Sequence, residues 1–226
     1  MELLIFVALA AAVAVGVWVS WYLKEKRRRE LAIAARQLGL SFSARDPFGC
    51  LGYPFALLRR GDGRGVENVL WGAWQGLPVR VFDLWYYEER RDREGRRSRT
   101  YHRFSCAVTE IEAACSPLRL ERENLLTRLA DHVALRDLEF ESEEFNRRFD
   151  VKAEDRRFAH AFVDARMMAW LLTVPGEFSF EVCGRWLLCY SRRRAPFDLV
   201  PLLGTLRGFR ERVPRVVFDL YPLAAG

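Results

Sequence analysis

The sequence predicts an α+β fold: an N-terminal transmembrane helix, then a cytosolic domain in which an antiparallel β-meander packs with short helices. Three observations predict it. Residues 3–23 form an unbroken apolar run, and 21 residues at about 1.5 Å each span about 31 Å, close to the roughly 30 Å hydrocarbon core of a bilayer. Strand-like segments follow one another between residues 66 and 111, and helix-like segments follow one another beyond residue 116. The sustained βαβ alternation of a parallel nucleotide-binding sheet is missing.

The apolar run reads as an uncleaved anchor over residues 1–23 rather than a secretory signal. Only Met1 and Glu2 precede it, with no basic segment, and the residues after Leu23 are basic and bulky instead of a small-residue cleavage site. Lys24, Lys26, Arg27, Arg28 and Arg29 follow at once, and such clusters stay on the cytoplasmic side of a membrane helix. The expected topology is therefore single-pass in a bacterial inner membrane, N-terminus outside and residues 24–226 in the cytoplasm. Trp18, Trp21 and Tyr22 suit the interfacial aromatic belt. Ala8, Ala12, Gly16 and Ser20 make a small-residue stripe through which a homodimer could form, although so alanine-rich a segment produces such a stripe almost as readily by chance.

Leu31, Ala35 and Leu38 share a helical face and Gly39 supplies a stop, so the helix is expected to continue as a stalk over residues 24–40. A β-rich part, 41–115, and an α+β part, 116–226, are expected to follow, as two subdomains or one composite domain. Asp46-Pro47-Phe48-Gly49 and Gly52-Tyr53-Pro54 punctuate loops. Segments 66–74, 79–88 and 100–111 are rich in β-branched and aromatic residues and suit a meander. Gln75-Gly76-Leu77-Pro78 joins the first pair tightly, while 89–98 makes a long charged tip between the second and third. Trp71 and Trp74 alternate faces, as do Phe82 and Trp85, so both faces of this sheet are expected to be covered.

The pattern turns helical past Ser116-Pro117. A short helix is expected over 124–132, with Leu125, Leu126 and Leu129 inward. Ser142 can cap a helix whose first turn carries Glu143 and Glu144, and Phe145 and Phe149 then share a face. Asp155 caps a helix with Phe158 and Phe162 four apart, and a second runs over 167–172 until Pro175-Gly176 ends it. Segments 178–182 and 186–190 read as a hairpin around Gly184. Residues 198–212 read as a closing helix with Leu199, Leu202, Leu203, Leu206 and Phe209 inward.

Setting aside residues 1–23, which hold one acidic and no basic residue, leaves 36 basic and 29 acidic residues and a net charge of +7. All but Lys24, Lys26 and Lys152 of the basic residues are arginine; they are spread along the chain, as GC-rich coding produces, rather than gathered on one element. Cys50, Cys106, Cys115, Cys183 and Cys189 are odd in number and contain no C-x-x-C pair, which suits reduced, buried thiols in a cytoplasm and not a disulfide framework.

Catalytic, cofactor-binding and metal-binding residues are not expected. Gly61-Asp62-Gly63-Arg64-Gly65 precedes a strand instead of a helix and lacks Gly-Lys-Ser/Thr, so it reads as a surface turn and not a phosphate loop. His102, His132 and His160 stand far apart, without metal-ligand spacing. A Cys106 or Cys189 nucleophile lacks the helix start that would activate it. Glu139, Glu141, Glu143 and Glu144 read as a helix N-terminus, with a general acid/base pair as the weaker alternative. Contact with a membrane or partner is expected at Lys24, Lys26, Arg27, Arg28 and Arg29, at the strand tip through Arg90, Arg91, Arg93, Arg96 and Arg97, and at Arg192, Arg193 and Arg194. The aromatic residues lie in hydrophobic strands and not among these arginines, which argues against nucleic acid.

The stretch Phe140-Glu141-Ser142-Glu143-Glu144-Phe145-Asn146-Arg147-Arg148-Phe149-Asp150-Val151, followed by Asp155, Ala159 and Arg166-Met167-Met168-Ala169-Trp170-Leu171-Leu172, resembles a family of bacterial membrane proteins known only as a domain of unknown function. The resemblance covers residues 140–190. It implies an N-terminally anchored protein whose cytosolic domain ends in a paired-aromatic segment, a short helix pair and a hairpin. Relatives often carry two membrane helices where this chain has one, and the resemblance brings no catalytic residue. The expected function is a non-catalytic module that binds a protein or the membrane surface, with an anionic-lipid headgroup sensor built on the strand tip as the alternative and an enzyme using cysteine or glutamate behind both.

Overall fold

The computed structural model describes residues 1–91, 95–122 and 136–223. The helix expected over 124–132, Arg93 and the side chain of Ala8 lie outside the described residues. The apolar run and the stretch expected as a stalk form one helix, α1 (Glu2–Gln37). It is long and apolar enough to cross a membrane, with a mean hydropathy of 2.0 over its best 18 residues and none of that window buried. Its last turns behave differently: Leu31, Ala34 and Ala35 are buried in the domain core. Gly39 ends the helix at φ +71°; the Leu40 N–H donates to the Ala35 carbonyl and the Gly39 N–H to the Arg36 carbonyl, which satisfies carbonyls the helix itself leaves open.

Among the described residues, seven antiparallel strands make one sheet: β1 (Ser41–Ser43), β2 (Gly63–Trp74), β3 (Leu77–Arg91), β4 (Arg97–Glu121), β5 (Arg136–Leu138), β6 (Asp150–Ala153) and β7 (Ser179–Arg192). The order is β1-β2-β3-β4-β6-β5, with β7 also paired to β4. The meander of β2, β3 and β4 is as expected. Gln75 and Gly76 both take positive φ between the paired Trp74 and Leu77, the two-residue geometry whose twist matches a hairpin.

Three expectations change. The second hairpin does not form: β7 runs as one strand through Gly184, which sits at φ +57° opposite Cys115 where the register against β4 shifts. A glycine inside a strand pattern fits a bulge as well as a turn, and an unbroken partner as long as β4 selects the bulge. The charged tip is shorter than 89–98, because Glu89, Arg90 and Arg91 pair with Arg99, Ser98 and Arg97. The glycine-rich turn shrinks to Gly61; Gly63 and Gly65 already belong to β2, opposite Tyr87 and Trp85. Strand β4 also crosses the composition shift at Ser116-Pro117, so residues on both sides of it share one sheet.

Short helices cover one sheet face with the end of α1, among the described residues α2 (Glu143–Arg148), α3 (Arg156–Phe162), α4 (Ala165–Thr173), α5 (Val200–Arg210) and α6 (Arg215–Leu220). Ser142 Oγ accepts the Phe145 N–H, Asp155 those of Arg157 and Phe158, and Asp164 that of Met167, so each of the first three helices has a side-chain cap. Beneath them Phe180 stacks on Phe209 at 4.4 Å and Phe145 on Phe149 at 5.0 Å. Segment 44–62 covers the opposite face, where Tyr53, Phe55, Leu57 and Leu58 pack on Phe82, Leu84, Phe104 and Tyr190. Both faces are therefore buried, as the alternation of Trp71 with Trp74 and Phe82 with Trp85 implied.

Candidate functional site

The period-two pleat divides β3 between these two cores. Phe82, Leu84 and Tyr86 belong to the core under segment 44–62, while Val79 and Val81 face the helices. Asp83 shares the helix-facing side and would be a buried bare carboxylate there, at 4% exposure, without a strong partner. Arg27 supplies it: Nε and Nη2 each donate at 2.7 Å to the two Asp83 oxygens, and Nη1 donates at 2.8 Å to the Arg194 carbonyl. Asn68 Nδ2 adds a bond of 2.9 Å. Asn68 sits at φ +57° in a bulge of β2, a conformation asparagine tolerates better than most residues.

This pairing fixes where α1 crosses the sheet, and a cleft of about 600 Å³ opens one turn closer to the apolar segment. Ser20, Leu23, Lys24, Arg27 and Arg28 form its helix wall; Glu67, Asn68, Trp85, Tyr101, Arg103 and Arg193 form its sheet wall. Trp85 and Arg103 are cross-strand partners. The Trp85 indole lies over the Gly65 backbone so closely that a Cβ there would come within 2.7 Å of the ring, so glycine at 65 sets the depth of that wall.

The cleft is positively charged. Arg27 is neutralised by Asp83, which leaves Lys24, Arg28, Arg103 and Arg193 against Glu67. Arg28 has Glu25 at 3.8 Å; among the described residues no carboxylate lies within salt-bridge distance of Lys24, Arg103 or Arg193. Partial burial lowers the Arg193 pKa, and the charges of Arg27 and Arg103 lower it further against the opposing pull of Asp83 and Glu67. Cations that repel one another in a partly desolvated wall gain when an anion enters.

The structure thus brings Lys24, Arg27, Arg28 and Arg193 together and leaves the other described residues expected to make contacts elsewhere. Lys26 pairs with Glu30 and Arg29 with Glu25 along the exposed side of α1. Arg90 and Arg91 end β3, and Arg97, at the start of β4, pairs with Glu89 at 3.3 Å; Arg96 lies beside it, and none of the four lines the cleft. Arg192 is exposed at the end of β7, whereas Arg194 is engaged within the fold, by Glu177 at 2.6 Å and by Asp198. Sequence reading missed Arg103, Trp85 and Tyr101. Their signal was the alternation Tyr101, Arg103, Ser105 against Phe104 and Cys106, but which α1 residues they would meet depended on the Asp83–Arg27 register.

A second groove, about 280 Å³, lies where Arg80 sits between the rings of Phe48, Tyr53 and Trp186, with Trp71 and Pro78 beside it. Four thiols, those of Cys50, Cys106, Cys115 and Cys189, are buried. Burial pushes those of Cys106 and Cys189 well above the usual range, and those of Cys50 and Cys115 up to about 12.

Another charged cluster is largely buried: Glu121 accepts from Arg60 at 2.8 Å and from the Tyr190 hydroxyl at 3.1 Å, and Glu181 accepts the Ala56 and Leu57 N–H groups at 2.6 and 2.9 Å. Burial, reinforced by the Glu121 charge, raises the Glu181 pKa to about 7 against Arg119, Arg60 and the Ala56 N–H, which lower it. An unfolded chain releases this proton near pH 4.5. Between that pH and about 7 the native state holds a proton the unfolded state has lost, so this contribution to stability is full below pH 4.5 and lost as pH rises through 7. Urea unfolding of the wild type and Glu181→Gln should therefore show the stability difference, wild type minus variant, falling by about 3 kcal/mol from pH 4.5 to 8. A pH-independent difference would mean that Glu181 is ionised throughout.

Fold and cleft together define a class: an antiparallel α+β domain docked on the continuation of a membrane-length apolar helix, with a basic, aromatic-lined cleft where the two meet. No family model matches the sequence, and no curated protein matches it. In structure the chain is similar to the crystal structure of the mycobacterial trehalose monomycolate transport factor A, TtfA, with a TM-score of 0.62 at 15% identity over 88% of this chain and 98% of that one. At that identity the likeness establishes a shared fold.

Proposed function

We propose that this is a single-pass protein of a bacterial inner membrane whose cytoplasmic domain is a non-catalytic binding module held against the membrane surface. The observation that carries the reading is the Arg27–Asp83 pairing, which ties the helix leaving the apolar segment to the middle of the sheet. A domain so tied cannot swing away on a linker, and its basic cleft stays at the level where lipid headgroups lie. The high thiol pKa values support a role without cysteine chemistry. A protein of like fold is named as a transport factor for trehalose monomycolate, and a membrane-surface role agrees with that name. A protein partner is the second reading, favoured by the aromatic groove around Arg80.

Protease added to spheroplasts is expected to leave the domain intact until detergent is added, because the basic residues after Leu23 hold it inside. Digestion from outside would reverse the orientation. Recovery of the chain in the soluble fraction after alkaline carbonate extraction would remove the anchor.

A further inference from the structure

We propose that the cleft between α1 and the sheet binds the phosphate headgroup of an anionic phospholipid from the leaflet facing the domain, with Lys24, Arg28, Arg103 and Arg193 around the phosphate and Trp85 and Tyr101 beside the glycerol. This rests on the membrane-anchored reading and names its ligand. It also moves lipid recognition away from the arginine-rich strand tip, whose Arg97 and Arg99 are matched by Glu89.

Three observations point to a headgroup. The cleft holds several cations against one carboxylate, Glu67, that is not already spent on Arg27, which suits one compact anion. Its volume of about 600 Å³ admits a glycerophosphate head and not only a bare ion. Its helix wall begins at Ser20 and Leu23, in the last turns of the apolar segment, with exposed Trp18, Trp21 and Tyr22 beside them. A ligand seated there has its polar end among the cations and its remainder where the anchor enters the bilayer, and interfacial aromatic rings fix that depth. A free phosphate would use the same cations but would gain nothing from this placement, so the source to which the site commits is the lipid.

The test uses the full chain in a zwitterionic detergent, with dioleoylphosphatidylglycerol or dioleoylphosphatidylcholine added to the micelles and retained lipid counted by native mass spectrometry. Wild type is expected to retain phosphatidylglycerol over phosphatidylcholine, and Arg103→Gln/Arg193→Gln to weaken that retention by about 25-fold, the factor implied by two near-surface cations. Both residues are exposed at the surface of the sheet wall. Lys24→Gln, on an exposed turn of α1, is expected to weaken it about fivefold and serves if the double variant fails to fold. Arg90→Gln/Arg97→Gln should leave retention unchanged. Equal retention of the two lipids by the wild type, full retention by the cleft variants, or an equal loss from the tip variant would each overturn the proposal. So would inorganic phosphate, if at millimolar concentration it displaced the lipid and raised the melting temperature as much as phosphatidylglycerol does. None of these outcomes touches orientation or anchoring, which the protease and carbonate experiments decide on their own.

Discussion

Asp83→Ala is expected to destabilise the domain by about 3–5 kcal/mol, the cost of leaving a buried guanidinium without its counter-charge. The Arg27 and Asp83 side chains are only 13% and 6% exposed, and two charge-assisted bonds of 2.7 Å join them. Arg27→Ala should cost a similar amount, since it strands the carboxylate against Asn68 and Ser105 alone. The double variant should cost clearly less than the sum, because each single change already removes the pair. Urea unfolding of the four proteins measures this coupling, and a coupling below 1 kcal/mol would show that the core contacts of Leu31, Ala34 and Ala35 hold α1 in place by themselves. Cysteines placed at Lys24 and Arg103 should cross-link across the cleft in the wild-type background and much less with Asp83→Ala.

Glu121→Ala should be as damaging, again by about 3–5 kcal/mol. Burial by itself disfavours the charge on Arg60, and the Glu121 carboxylate, with smaller help from Tyr190 and Glu181, more than offsets that and raises its pKa. Removing Glu121 leaves Arg60, 13% exposed, in that setting and takes the acceptor from the buried Tyr190 hydroxyl. Glu121→Gln keeps an acceptor and loses only the charge, so a cost of about 1–3 kcal/mol is expected. Thermal and urea unfolding of both variants test the difference. An alanine variant no worse than the glutamine variant would mean that water reaches Arg60 and replaces the carboxylate.

Much of the architecture was legible because its causes are local. The apolar helix, the stop at Gly39, the caps at Ser142 and Asp155 and the inward face of α5 follow from residues within a turn or two of one another. The meander was legible for the same reason, since a two-residue turn sets its own register. What misled were features whose meaning depends on a distant strand. Gly184 reads as a turn until β4 is seen to run past it without a break, and β5 and β6 are too short to announce themselves outside the sheet that pairs them.

The candidate site divides along the same line. Lys24, Arg27 and Arg28 stood out as a basic cluster after an apolar run, and as a group they pointed at the membrane surface. Their separate roles did not stand out. Arg27 is tied into the fold by Asp83, 56 positions away in the chain, while Lys24 and Arg28 line the cleft. The membrane-length helix, its basic flank and the α+β order of elements could be read along the chain, because apolar length, charge and short-range periodicity act over a few residues. That Asp83 captures Arg27, and that Arg103, Trp85 and Arg193 close a cleft beside it, follows from the packing of distant segments. A buried carboxylate must find its counter-charge wherever packing allows, and that choice is made between strands and helices far apart in the chain.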